Sequence, residues 1–260
     1  MGITYNFESS FLAKFAQEQG LCMSVNESNG TTKEFEHSYL SLVYQDILGS
    51  LDFKVRKLLE IGVSRGSSLE MWRRLDIAEE IFGIEPNRDF LQHHKLMEWS
   101  ELTIIWDDAY RKRVYGKFKK DFSLIIDDGP HTPWSQLLSL RKYPSKLERG
   151  GFYVLEDIGD IESKLVAYYY SIPRGLRKCV YVFDLRDVAR NKELSVAMVV
   201  HACPEINIKC KFESINHIGK RVDLPILPPP KVFLMLLLNQ SKSYVRRIII
   251  GGIKYRLRSR

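Results

Sequence analysis

Two aspartates and a histidine stand within five residues of one another in the stretch LIIDDGPHTPW (124–134). Carboxylates can hold a divalent cation, and an imidazole beside them can take a proton, so Asp127, Asp128 and His131 could do chemistry together. A second acid pair, Glu156 and Asp157, closes GFYVLED (151–157). Each pair also has an ordinary reading. Asp-Asp-Gly makes turns, and Glu-Asp could cap a helix beginning near Asp160. Acids nevertheless recur with the same placement: Glu60 lies in KLLEIGV (57–63), Glu85 near the end of EIFGIEP (80–86), and Asp107 and Asp108 at the end of LTIIWDD (102–108).

These apolar runs, with FSLIIDD (122–128), read as buried strands. The stretches between them, such as SSLEMWRRL (67–75) and SQLLSLRKYPSKL (135–147), have helical spacing. Alternating strands and helices imply right-handed crossovers and a parallel, doubly wound α/β sheet. CVYVFDL (179–185) and LSVAMVVHA (194–202) leave no room for a full helix between them, so they read as a terminal antiparallel hairpin. The expected sheet has seven strands, five parallel plus that hairpin. EFEHSYLSLVYQDIL (34–48) reads as an amphipathic helix with Tyr39, Leu42, Val43 and Ile47 on one face. Ligands of open parallel sheets bind beyond the carboxyl ends of the strands, and five strands would bring their acids to that edge.

The first strand runs into EIGVSRGSS, where Gly62 and Gly66 would let a ligand approach the backbone. Glu85 follows Gly66 by 19 residues. At the end of the second strand it suits a carboxylate accepting from ribose hydroxyls. The GxGxxG fingerprint is absent, so a nucleoside is expected but NAD is not favoured.

Taken in order, LLEIGVSRGSSLEMW, GIEPN, IIDDGPHTPWSQ and LERGGFYVLEDI resemble the Rossmann-like class I S-adenosylmethionine-dependent methyltransferases. More narrowly, they resemble the metal-dependent macrolide sugar O-methyltransferases and their cephalosporin-hydroxylase-like relatives. TTKEFEHSYLSLVY resembles the Thr-x-Lys and His-x-Tyr segment of that group. The resemblance covers roughly Thr31 to Ala202. It implies a methyltransferase domain over 31–204, flanked by an N-terminal lid or extension (1–30) and a basic C-terminal extension (205–260). It assigns Glu60, Gly62, Gly66 and Ser67 to the methionine end of S-adenosyl-L-methionine, Glu85 to its ribose and Asp107 to the neighbourhood of its adenine. Asp127, Lys33 and Tyr39 join this cofactor set, with His37 nearby. Asp128, Glu156 and Asp157 would bind the metal, Mg2+ first among candidates, and His131 would be the general base. The chain departs from the family in having Pro130 for the usual Ser, and Glu85 where Asp is common.

The chemistry is coherent from below. A sulfonium cofactor brings its own electrophile. The obstacle is a sugar hydroxyl that is barely ionised at neutral pH, which a hard cation and an imidazole can overcome together. Among the other histidines, His93 and His94 read as surface residues and His201 as packed at a strand end.

The totals set the setting. The 260 residues are 45% hydrophobic and 27% charged, as in ordinary soluble proteins. The opening MGITYNFESSFLAKF lacks the compact apolar core of a signal peptide, and Asn6 argues against myristoylation. Cys22, Cys179, Cys203 and Cys210 form no CxxC pair, so a cytoplasmic protein without a zinc site is expected. The net charge of +7 is uneven, for no acid follows Asp223 while eight lysines and arginines do. That end could meet an anionic membrane surface, nucleic acid or an acidic partner. The resembling enzymes form homo-oligomers, so a subunit contact is also expected. RKRVYGKFKK (111–120) reads foremost as a solvated helix face. The expected function is O-methylation of a sugar or another vicinal diol, in a small molecule or a glycan. The alternatives are methylation of RNA at a cap or ribose, disfavoured because no lysine ends the fourth strand, and a docking protein with a degenerate methyltransferase core.

Overall fold

A computed structural model describes residues 11–21, 31–50, 55–90, 98–202 and 219–222. In chain order these hold helix α1 (Phe11–Glu18), a π-helical turn (Leu40–Tyr44) running into α2 (Gln45–Ser50), β1 (Val55–Ile61), α3 (Ser67–Arg74) and β2 (Ala78–Ile84). There follow β3 (Leu102–Ile105), α4 (Lys112–Tyr115), β4 (Phe122–Asp127), α5 (Pro133–Lys142), β5 (Leu147–Leu155), α6 (Ile161–Ser171), β6 (Val180–Asp184), β7 (Val196–His201) and β8 (Gly219–Arg221). Cys22, Cys203, Cys210, His93, His94 and the basic stretch after Asp223 lie outside the described residues.

The strands form one sheet in the order β3-β2-β1-β4-β5-β7-β6-β8. β1 to β5 are parallel, and β7 inserts antiparallel between β5 and β6. The five parallel strands and terminal hairpin are those expected from the sequence. The short β8 adds an eighth strand at the β6 edge, from beyond residue 204. Among the described residues no helix is long and apolar enough to cross a membrane.

Alternation along each strand builds two cores. Leu58, Leu124, Ile126, Phe152 and Val154 face α1, α2 and α3, through Leu12, Ile47 and Trp72 among others. Leu59, Ile125, Tyr153 and Leu155 face α5 and α6, through Leu140 and Tyr168 among others. The same period decides where the polar residues at the strand ends point. Glu60 continues the Leu58 face of β1, and Glu156 the Phe152–Val154 face of β5. Asp127 and Asp128 part to opposite faces.

Two boundaries differ from the sequence reading. Ser38 has φ 57, in the left-handed region, and this breaks the helix expected from residue 34, so helical structure starts at Leu40. β5 begins at Leu147 rather than Gly151, because a register shift against β4 between Phe122 and Leu124 admits the extra residues.

Candidate active site

Glu60, Asp128 and Glu156 stand side by side at the carboxyl ends of β1, β4 and β5, and the side chain of Lys33 lies across them. Its Nζ is 2.8 Å from Asp128 Oδ2 and 3.4 Å from Glu60 Oε1, and it also pairs with Glu156. Lys33 is 2% exposed, Glu60 0% and Glu156 1%. Burial alone would lower the pKa of the lysine. The charges of Asp128, Glu156 and Glu60 outweigh that and hold its pKa well above the usual value. Burial raises the carboxyls of Glu156 and Glu60, with Lys33 opposing it in both. Tyr44 donates its hydroxyl to the other oxygen of Glu156.

Beside this cluster lies a second group. Asp128, His131 and Asp157 each offer one ligand atom, all within 4.8 Å of one another. His131 Nε2 is 3.7 Å from Asp128 Oδ1 and 3.6 Å from Asp157 Oδ2. A cation bonding at about 2.0–2.6 Å would span such a gap, so two carboxylates and an imidazole fit a divalent ion. His131 and Asp157 both have left-handed backbone, with φ 50 and 54. Burial raises the Asp157 carboxyl, and the charge of Asp128 adds to the effect.

The residues proposed as metal ligands therefore divide. Asp128 and Asp157 flank His131, whereas Glu156 turns inward and its carboxylate is taken up by Lys33 and Tyr44. Neither Glu156 nor Asp157 caps α6, whose N-cap is Asp160. Lys33 and Tyr39, expected at the cofactor, both reach the acids at these strand ends. Tyr39 donates to Asp157 Oδ1 at 3.0 Å and lies 3.1 Å from the carbonyl of Leu194. His37 is buried, its Nδ1 2.9 Å from Ser195 Oγ and 3.6 Å from Asp157 Oδ1.

The cofactor set is spread more widely. Gly62 has φ 86, and a Cβ there would run into the backbone carbonyl of Asp128, so only glycine fits between β1 and the β4 turn. Gly66 (φ 81) is the N-cap of α3, and Ser67, buried, is that helix's first residue. Glu85 is buried and accepts the N–H groups of Ser64 and Asn87, each at 2.9 Å and each on a different oxygen. Each oxygen keeps a further lone pair for a ligand hydroxyl. Neither oxygen of Glu60 accepts a hydrogen bond among the described residues. With the Lys33 ammonium at 3.4 Å from one oxygen, this buried carboxylate still has room to accept from a second cationic group, such as the amino group of a methionine moiety.

Two members of the set are occupied elsewhere. Asp107 is gripped by Arg113, at 2.6 Å and 2.8 Å, which brings its pKa down to about 2. Asp127 points to the opposite face from Asp128. There it accepts from Tyr110 at 3.0 Å and from the Gly129 N–H at 3.1 Å, and burial raises its pKa. Its place is in the support of the turn, away from the Glu60 face.

Sequence reasoning missed Tyr44 and Gln136. The Gln136 amide donates to the carbonyls of Glu156 and Asp157, both at 3.2 Å, and fixes the end of β5 to α5. Tyr44 falls on a helical segment, which was the one available signal, whereas nothing local marks Gln136. The loop carrying His131 is closed by Thr132, which caps α5 by accepting the Ser135 N–H. Thr132→Ala should lower unfolding free energy by about 0.5–2 kcal/mol, read from urea unfolding against Thr132→Ser, which should lose little.

A doubly wound sheet with five parallel strands, an antiparallel last pair and a glycine turn after β1 is a Rossmann-like fold. No known family profile matches the chain. It is similar to the 8-demethyl-8-(2-methoxy-α-L-rhamnosyl)-tetracenomycin-C 3'-O-methyltransferase of Streptomyces olivaceus, with 30% identity over 136 residues. The match takes in 49% of this chain and 32% of that enzyme, so it spans about a third of the relative's length. Solved structures similar to it include the MycE methyltransferase of the mycinamycin pathway, in complex with Mg and SAH (18% identity, 75% of this chain, 56% of that one, TM-score 0.49). The spermidine synthase of Thermotoga maritima is another (15% identity, 70% and 64%, TM-score 0.45).

Proposed function

We propose that the chain is an S-adenosylmethionine-dependent O-methyltransferase whose acceptor is a hydroxyl of a sugar or another vicinal diol. The observation that carries this reading is His131 between Asp128 and Asp157, beside the buried carboxylate of Glu60. The similarity to a rhamnosyl 3'-O-methyltransferase supports the sugar class of acceptor.

S-adenosylmethionine supplies the methyl electrophile. A divalent cation, with Mg2+ the first candidate, supplies Lewis-acid stabilisation of the acceptor oxygen. The protein's own residues do the rest. Glu60 receives the amino group of the methionine moiety, Glu85 receives the ribose hydroxyls, and Gly62 lets the β4 turn close against the end of β1 beside them. Asp128 and Asp157 hold the cation. His131 takes the acceptor's proton at Nε2, as an imidazole held beside the acceptor can do.

Calorimetric titration of S-adenosylmethionine into chelator-stripped protein tests this, with NAD as the control. Saturable binding of the first alone is the expected result, followed by S-adenosylhomocysteine release with rhamnosides and Mg2+. Binding of NAD, or of neither compound, would overturn the reading.

A further inference from the structure

The leading segment, residues 31–44, packs against the acids through buried side chains, and it divides the oxygens of two of them in the same way. On Asp128, Oδ2 accepts from Lys33 at 2.8 Å while Oδ1 faces His131 Nε2 at 3.7 Å. On Asp157, Oδ1 accepts from Tyr39 at 3.0 Å while Oδ2 faces the same nitrogen at 3.6 Å. Each carboxylate is thus pinned by the oxygen that faces a buried donor and presents its other oxygen to His131.

Tyr39 is itself held firmly. It is 1% exposed, its ring stacks on His37 with centroids 5.1 Å apart, and its hydroxyl accepts the backbone N–H of Asp157 at 3.1 Å. The hydroxyl therefore fixes both the backbone and the side chain of Asp157, at a residue with left-handed φ. Asp157 has no comparable restraint from its own strand, because β5 ends at Leu155.

We infer that Lys33 and Tyr39 are positioning residues that orient Asp128 and Asp157 so that one oxygen of each is offered to a divalent cation beside His131. This rests on the metal-assisted reading above and adds which residues set the ligand geometry. The physical ground is that groups bonded to a metal's ligands fix ligand orientation before the metal arrives, and their removal commonly weakens binding roughly 10- to 100-fold. Neither residue touches the acceptor in this scheme. Their role is to let the cation bind without first reorganising two carboxylates, one of them nearly buried.

Tyr39→Phe is the sharper probe, since it keeps the ring, its stacking on His37 and the local charge, and deletes one hydroxyl. Mn2+ binding to the full chain is followed by the electron paramagnetic resonance signal of free Mn2+, and S-adenosylmethionine binding by calorimetry. The expected result is Mn2+ affinity weakened roughly 10- to 100-fold with S-adenosylmethionine affinity changed by less than about twofold. Unchanged Mn2+ affinity in Tyr39→Phe, with normal binding in the wild type, overturns the positioning role and leaves the metal reading standing. No saturable Mn2+ binding in the wild type overturns both. Should Tyr39→Phe fail to fold, a crystal structure of the wild type with Mn2+ decides. Oδ2 of Asp157 and Oδ1 of Asp128 on the metal, with the Tyr39 and Lys33 bonds retained, supports the inference. Metal on Oδ1 of Asp157 or Oδ2 of Asp128, with Tyr39 or Lys33 displaced, refutes it.

Discussion

Lys33→Met is expected to destabilise the protein by about 3–5 kcal/mol, which is the usual loss when one partner is removed from a buried ionic cluster. The size follows from what remains. Methionine fills a similar volume, so no large cavity forms, but Glu60, Asp128 and Glu156 would face one another without a cation. Glu60 has no hydrogen bond among the described residues to soften that change, whereas Glu156 keeps the Tyr44 hydroxyl. A second substitution separates charge from packing. Glu156→Gln removes one negative charge and retains an oxygen for Tyr44, so Lys33→Met/Glu156→Gln should be more stable than Lys33→Met alone. Urea unfolding of the wild type, both single variants and the double variant gives the coupling energy directly. If the single lysine variant loses less than about 1 kcal/mol, or if the double variant shows no recovery, the ammonium does not balance these carboxylates.

How far such a cluster can be read in advance is clear from its members. The period-2 apolar runs mark β1 to β5, and a ligand edge at their carboxyl ends follows from topology alone. Alternation also separates Asp127 from Asp128, because adjacent residues on a strand point to opposite faces. The pattern does not say which face carries the chemistry, and it does not show that Asp127 supports the turn through Tyr110 and Gly129. Glu156 and Asp157 show the converse. β5 ends at Leu155, the left-handed φ of Asp157 turns the chain, and the two neighbours serve different clusters. Long-range partners were hidden for a simpler reason. Lys33 and Glu156 are 123 residues apart, and no local period links them. Arg113 and Asp107 are only six apart, but the loop between β3 and α4 sets their meeting, not a helical repeat. The π-helical turn at 40–44 was invisible to a reading that assumed an unbroken 3.6-residue period from residue 34.

His131→Asn should lower turnover by roughly 100- to 10,000-fold while leaving S-adenosylmethionine affinity within about twofold of the wild type. Asparagine is chosen because residue 131 has φ 50, a conformation that it tolerates better than alanine, so backbone strain is not confused with lost chemistry. The imidazole is half-buried, and its Nε2 lies 3.7 Å from Asp128 Oδ1 and 3.6 Å from Asp157 Oδ2. That is close enough for a proton acceptor beside a cation, and close enough for a third ligand. The two roles predict different binding data. A base leaves Mn2+ affinity largely intact when removed, so turnover falls and metal binding does not. A ligand takes metal affinity down with turnover, and added Mn2+ then restores part of the activity. Measured with the first rhamnoside that turns over, a loss unrelieved by saturating Mn2+ assigns proton transfer to His131. A loss that Mn2+ relieves makes the imidazole a ligand, and its nitrogen donor would favour a transition metal over Mg2+. Turnover within tenfold of the wild type would remove His131 from the reaction altogether, leaving Asp128 and Asp157 to activate the acceptor without it.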